Sequence, residues 1–507
     1  MLNESVLSVF TRRHLFKGAV SMAIASALPG CANSMTSTDT VSSGRMVNGP
    51  NPQVAPTSNI TQASFTVSSG TAGSIGSAFA GLSYEKSALT EPLFTASNAN
   101  LIALFKRLGT SVLRIGGNSV DKNVWTPDGP GQRSGQIAPP DVAALAAFVK
   151  ATGWQILYGI NLGGSATGAT TPALAAAEVA YAAQQFGSSL LGIEIGNECD
   201  GYGSTGSWYA GDWSLAKFEA LWAQYRTAIL ASTPTVPITG PASGSNITEW
   251  TIPFGLAATR QKITHLSQHY YRRDGHLATS TAAFLITPDT SLVTHLSELQ
   301  TAAQSIGIPY RISECNSFFN GGASGVSNSY ASSLWVIDYL FNCAQSGASG
   351  VNFHGGGDRN YTAIADLDGT VVGARPEFYG ILLFTLAGTG TLLPTQLSAG
   401  KLNVTAYAVK SASGGINLVL VNKDSTQNLS VSVQLPQPVN SATLLEMTQS
   451  TGTSGASLAA TSGVTIQGAI VNPDGTFSPQ AAYTLPSSGS QLSCYVPALS
   501  AVLIKIT

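Results

Sequence analysis

A chain of 507 residues has room for one large domain and a smaller one, each with a sizeable core. Charged residues make up 10% and the formal net charge is −2, so the overall electrostatics favour neither nucleic acid nor an anionic membrane as a partner. Apolar residues reach 44%, and with abundant Gly, Ser and Thr this suits a secreted or cell-envelope protein.

Residues 11–17, Thr-Arg-Arg-His-Leu-Phe-Lys, resemble a bacterial twin-arginine export signal. The apolar stretch 19–28 that follows is too short to span a bilayer. Leu28-Pro29-Gly30-Cys31 resembles a lipoprotein cleavage box. Residues 1–31 therefore read as an export signal that is either cleaved outright or leaves Cys31 as a lipid anchor. The expected destination is the periplasm, the membrane surface or the medium. Residues 32–60, rich in Ser, Thr, Asn and Pro, read as a flexible tether. The other cysteines are Cys199, Cys315, Cys343 and Cys494, spaced neither as a zinc site nor as a dense disulfide framework. Twin-arginine export carries folded chains out of a reducing compartment, which favours buried thiols.

Beyond the tether, residues 63–67 alternate like one strand, and the segment 61–75 reads as an N-terminal strand that completes a C-terminal sandwich. Between 76 and 386 the pattern is strand, helix, strand, helix. Strands are expected at 79–85, 111–117, 155–164, 190–198, 237–243, 263–271, 309–316 and 350–356. Helical periodicity fills 99–108, 141–151, 172–185, 215–230, 247–257, 292–306, 329–345 and 375–386. This α/β pattern fits a (β/α)8 barrel, with an open doubly wound sheet as the alternative. Polar residues collect at the strand ends: Glu85, Asn118, Asn161, Asn197-Glu198, His269-Tyr270-Tyr271, Glu314 and His354. A barrel brings these ends round one mouth, whereas an open sheet would scatter them. From 387 to 507 the period falls to two, which reads as a small antiparallel sandwich.

Two strand ends carry the chemistry. Leu190–Asp200 reads LLGIEIGNECD, an apolar strand that runs out at Asn197-Glu198. Residues 309–316, PYRISECN, repeat the design and end near Glu314. Paired strand-end carboxylates are what hydrolysis of a glycosidic bond requires, and the alternative is that each merely pairs with a neighbouring charge. Arg114, inside the second strand, is either such a partner or a substrate contact. His269 and His354 offer hydrogen bonds at the mouth; no third ligand stands out for a metal. Tyr270 and Tyr271 are adjacent, so they point to opposite sides of their strand. The GYGSTG run at 201–206 opens no helix directly and reads as a flexible aromatic loop rather than a dinucleotide site.

Asn-Glu at the end of strand four with Glu at the end of strand seven resembles the large clan of retaining (β/α)8 glycoside hydrolases. GLSYEKS at 81–87, LRIGGNS at 113–119 and VNFHGGG at 351–357 resemble glycoside hydrolase family 79, which contains β-glucuronidases and heparanases. The resemblance implies Glu198 as acid/base and Glu314 as nucleophile, with no metal or organic cofactor. It implies Asn197 on the sugar 2-hydroxyl, and Tyr270 on Glu314 or the sugar. Glu85, Asn118 and His354 are expected round the ring. Tyr361 and the Gly321 amide match groups that hold a uronate carboxylate, but Phe319 stands where a second tyrosine is expected. The implied activity is a retaining exo-β-glycosidase, with β-glucuronidase leading, a β-glucosidase-like enzyme second, and a non-catalytic carbohydrate-binding barrel third.

Overall fold

The computed structural model describes residues 51–258, 262–450 and 455–507. The expected export signal, Cys31 and the expected tether as far as residue 50 lie outside the described residues.

Eight parallel strands close into a barrel in chain order: Ala80–Glu85, Val112–Gly116, Gln155–Ile160, Leu190–Ile195, Ile238–Ser243, His265–Tyr271, Tyr310–Asn316 and Val351–Gly355. The eighth pairs with the first, Val351 opposite Ala80 and Gly355 opposite Tyr84, which excludes the open sheet. A strand sheathed by helices is buried on both sides, and every residue of Val112–Gly116 and Tyr310–Asn316 is buried. Several helices start at side-chain caps. The Thr171 hydroxyl accepts the Leu174 amide ahead of Pro172–Phe186, and Asn98 accepts from Leu101 ahead of Ala99–Arg107. One expected helix differs: the stretch at 247–257 opens as a π turn, Ile247–Thr251, because the Asn246 carbonyl takes the Thr251 amide as well as that of Trp250; Ile252–Ala258 then continues as α.

The C-terminal region forms two facing sheets around a core that includes Phe65, Leu418, Val431, Leu444 and Val502. Its strands are antiparallel with one exception. Ile60–Val67 inserts parallel to Asn428–Gln434 and antiparallel to Thr395–Ser398. Ser74–Ile75 then crosses to the other sheet and pairs with Gly390–Leu392. Residues 51–60, expected to be tether, instead run along the sandwich. The Asn51 carbonyl accepts the Thr484 amide (2.8 Å), and the Gln53 side chain bonds the Tyr495 carbonyl and amide (2.7 and 2.8 Å). Ser487–Ser488 pairs with Gln491 and Leu492 alone, so that edge is open at Tyr495 and the Gln53 amide satisfies it. The sandwich packs on the last two barrel helices, Tyr330–Gln345 and Pro376–Ala387. Phe341 stacks on Tyr407 at 4.2 Å, the Tyr330 hydroxyl donates to the Met447 and Leu499 carbonyls (3.2 and 2.9 Å), and Lys423 pairs with Asp338. Cys199, Cys315, Cys343 and Cys494 are free, buried thiols. No described helix is long and apolar enough to cross a membrane.

Candidate active site

The fourth strand ends at Ile195, and the chain then turns sharply. Gly196 takes φ 83°; a Cβ there would meet the Cys199 sulfur at 2.5 Å and the Tyr202 hydroxyl at 2.8 Å, so the turn needs glycine twice over. Glu198 itself sits in the left-handed region (φ 47°, ψ 47°), a conformation that costs a non-glycine residue about 1 kcal/mol and is often kept at functional sites. Its amide is held by the Ala242 carbonyl (2.9 Å) from the fifth strand. The turn raises the Glu198 carboxyl into the barrel mouth, where its side chain is 35% exposed and its Oε1 lies 3.1 Å from His269 Nδ1.

Glu314, on the seventh strand, faces it from below. Its Oε2 accepts Arg114 Nη1 (2.7 Å) and its Oε1 accepts the Tyr271 hydroxyl (2.8 Å). His354 and His269 stand at 3.8 and 4.0 Å. Burial by itself would raise this carboxyl's pKa; the His354, His269 and Arg114 charges and the Tyr271 hydrogen bond outweigh burial and hold it well below the ordinary carboxylate range. Arg114 is fully buried and fully used: Nε bonds Glu194 Oε2 (2.6 Å), Nη2 bonds Asn197 Oδ1 (2.9 Å), and Nη1 also reaches Ser83 (3.3 Å). It is the charge partner within the barrel, not a substrate contact. One oxygen of Glu198, one of Glu314 and a ring nitrogen of His269 all lie within 4.8 Å of one another.

Above this pair opens a cavity of about 550 Å³. Glu85, Asn118, Phe319, Gly321, His354 and Tyr361 line it together with the two carboxylates. Asn197 lies beneath, buried, with its Nδ2 3.4 Å from Asn118 Oδ1. Tyr270 does not line the cavity. Its side chain turns outward, where the hydroxyl donates to Asp289 (2.9 Å) and the ring stacks near Tyr339. Strand alternation gives the inward place to Tyr271, which shares a face with His269 two residues before it.

No family model matches the chain. A β-glucuronidase from Aspergillus niger is 26% identical over 256 residues, 45% of this chain; the match spans about half of that relative (46% of its length). Among solved structures, a 4-O-α-L-rhamnosyl-β-D-glucuronidase from Fusarium oxysporum 12S superposes with a TM-score of 0.72 at 19% identity, covering 87% of this chain and 99% of that one. An arabinofuranosidase from Xanthomonas axonopodis pv. citri gives 0.63 at 17%, over 88% and 100%. The chain shares their fold.

The site also holds groups beyond those expected from the sequence. Glu194 is a third carboxyl inside the barrel; its position amid the apolar run of strand four, with the buried Arg114 two strands away, was the available signal. Tyr271, not Tyr270, takes the place on Glu314; alternation puts one of the two at the mouth without saying which. Arg359 lines the cavity with a side chain 42% exposed and Nη1 3.7 Å from Glu85 Oε1; it sits in a polar loop with no periodicity to give it a direction. Glu85 accepts the Ser119 amide (2.7 Å). Burial pushes its carboxyl up, but His354 and Ser119 more than offset this and bring it down to about 2. Glu198, His269 and Glu314 are spaced closely enough to be metal ligands. Both oxygens of Glu314, however, already accept hydrogen bonds, one from a guanidinium, so this donor set fits proton transfer and charge stabilisation better than a cation.

Proposed function

We propose that the chain is a retaining exo-β-glycosidase of the family 79 type that removes a terminal β-linked glucuronate. The observation that carries this is the Glu198–Glu314 pair, with oxygens within 4.8 Å at the C-terminal end of a (β/α)8 barrel. Retaining enzymes hold their carboxyls about 5–5.5 Å apart, whereas inverting ones need about 6.5–9.5 Å to admit a water between them. Glu314, ionised, attacks the anomeric carbon, while Glu198, protonated, gives its proton to the departing oxygen. The bond to the aglycone breaks as the Glu314 ester forms. Glu198, now a carboxylate, takes a proton from water, whose oxygen attacks the same carbon and frees Glu314. Asn197, buried beside Asn118, is assigned to the 2-hydroxyl in this reading.

The names of the Aspergillus relative and the Fusarium structure support a glucuronide substrate, as do Tyr361 and Gly321 in the cavity wall. Phe319 favours a second reading, a β-glucosidase-like enzyme, because it presents an apolar ring where a donor is expected. A non-catalytic carbohydrate-binding barrel would have no need of a buried, pinned carboxylate facing one open to solvent. The export signal in residues 1–31 would deliver the enzyme to the periplasm, to the membrane through Cys31, or to the medium. A panel of 4-nitrophenyl β-glycosides tests the activity, and NMR of the first-formed anomer tests the stereochemistry. Release of β-glucuronate from the glucuronide is the expected result. Turnover of the glucoside alone would move the assignment to the second reading, and binding without turnover to the third.

A further inference from the structure

Three carboxylates, Glu85, Glu198 and Glu314, line the cavity. A uronate would bring another negative charge among them, and a carboxylate left without partners binds poorly. The buried Arg114 cannot help, since each of its nitrogens is already bonded to Glu194, Glu314, Ser83 or Asn197. Phe319 offers no hydrogen-bond donor. Among the described lining residues, this leaves Arg359 as the guanidinium that reaches the cavity.

Arg359 is well placed for such a role. Its loop follows the eighth strand and is fastened at several points. The Arg359 carbonyl accepts Arg375 Nη1 (2.7 Å) and the Thr362 amide (3.1 Å), Arg375 pairs with Asp358, and the Gly357 amide bonds Asp366 Oδ2 (2.7 Å). Asn360 donates its amide to the Gly321 carbonyl (2.9 Å) and its side chain to that of Gly322 (3.3 Å), which ties this loop to the one carrying Phe319. Tyr361, two residues further on, lines the same cavity as Arg359. Its nearest carboxylate contact, Glu85 at 3.7 Å, is too long for a direct hydrogen bond, so donors remain to spare. A backbone fixed this firmly under a side chain still 42% exposed gives a charged fork at a set position with room to meet a ligand.

We infer that Arg359 is the specificity-determining residue of this site: its guanidinium holds the substrate carboxylate beside Tyr361 and supplies the donor that Phe319 lacks. The inference rests on the glucuronate reading above. The test compares the wild type with Arg359→Gln and Arg359→Lys on 4-nitrophenyl β-glucuronide and 4-nitrophenyl β-glucoside. Arg359→Gln is expected to lower kcat/KM for the glucuronide roughly 10- to 100-fold, mainly through KM, the loss of a charge-assisted hydrogen bond, and to leave the glucoside rate within about twofold. Arg359→Lys should recover part of the glucuronide loss by keeping the charge without the fork. An unchanged KM for the glucuronide in Arg359→Gln would overturn the inference, as would equal losses on both substrates, which mark a structural role. A wild type that turns over glucoside and not glucuronide removes the underlying reading and the inference with it, without recourse to any variant.

Discussion

The two walls of the barrel mouth are built differently. The wall that runs from strand six through seven and eight to strand two is closed: Glu314 is 6% exposed, and Arg114, Tyr271, His269 and His354 surround it. The wall of strands four and five is open: the Glu198 side chain is 35% exposed and rests on one imidazole. Backbone, not side chains, fixes this second wall. The Asp200 carboxylate accepts the amides of Gly244, Ser245 and Asn246 (2.8, 3.1 and 3.2 Å), and this holds Gly244 so close that a Cβ there would come within 3.1 Å of the Glu198 carboxyl carbon. The contrast matches the proposed chemistry. A nucleophile should stay ionised and immobile, whereas an acid/base must exchange a proton with solvent in every cycle. Low dielectric and fixed donors serve the first, and access to water serves the second.

The largest test of this contrast removes each carboxyl in turn. Glu314→Gln should cost roughly 10⁴-fold or more in kcat for every leaving group, with the circular dichroism spectrum retained. Glu198→Gln should cost about 10²- to 10⁴-fold on a poor leaving group and much less on a dinitrophenyl glycoside, whose departure needs no proton. Equal losses irrespective of leaving group would erase the division of labour.

A finer test exploits the neighbouring tyrosines. Tyr271→Phe should lower kcat about 10- to 100-fold, the value of a hydrogen bond to a charged group, and move the acid limb of the pH profile upward as Glu314 loses a donor. Tyr270→Phe removes a hydroxyl that faces Asp289 outside the barrel and should leave kcat within about twofold while costing about 1 kcal/mol of stability. The reverse ranking would show that the inward tyrosine had been misassigned.

The smallest expected effect concerns Glu85. Its folded pKa lies below its ordinary 4.5, at about 2, so its contribution to stability is complete above pH 4.5 and fades as pH falls toward 2. Chemical denaturation across that window should show Glu85→Gln flattening the acid loss by on the order of 2 kcal/mol. Parallel curves for the variant and the wild type would mean that Ser119 and His354 do not hold the carboxylate ionised.

Much of this molecule is written locally. The barrel strands and most helices follow from runs of buried apolar residues and from caps such as Thr171 and Asn98, because period and capping act over a few residues. Asn197-Glu198 and Glu314 were legible for the same reason: a carboxyl where an apolar strand runs out is conspicuous. What escaped was relational. The sequence showed one of two tyrosines facing the mouth; the strand's rotation in the closed barrel gives that face to Tyr271. Residues 51–60 have the composition of a tether, yet an open strand edge more than 400 residues away holds Gln53 in place.

The sequence by itself determined the eight strand-helix units, the two carboxyls at strand ends and the period-two region that follows, since each depends on neighbours along the chain. Tertiary structure alone decided that Arg114 joins Glu194, Glu314 and Asn197 in one buried network, that Glu198 stands open to solvent while Glu314 does not, and that Arg359 reaches the cavity. Those facts depend on ring closure and on loops from different strands meeting, and no short-range pattern encodes distances between residues that are far apart in the chain.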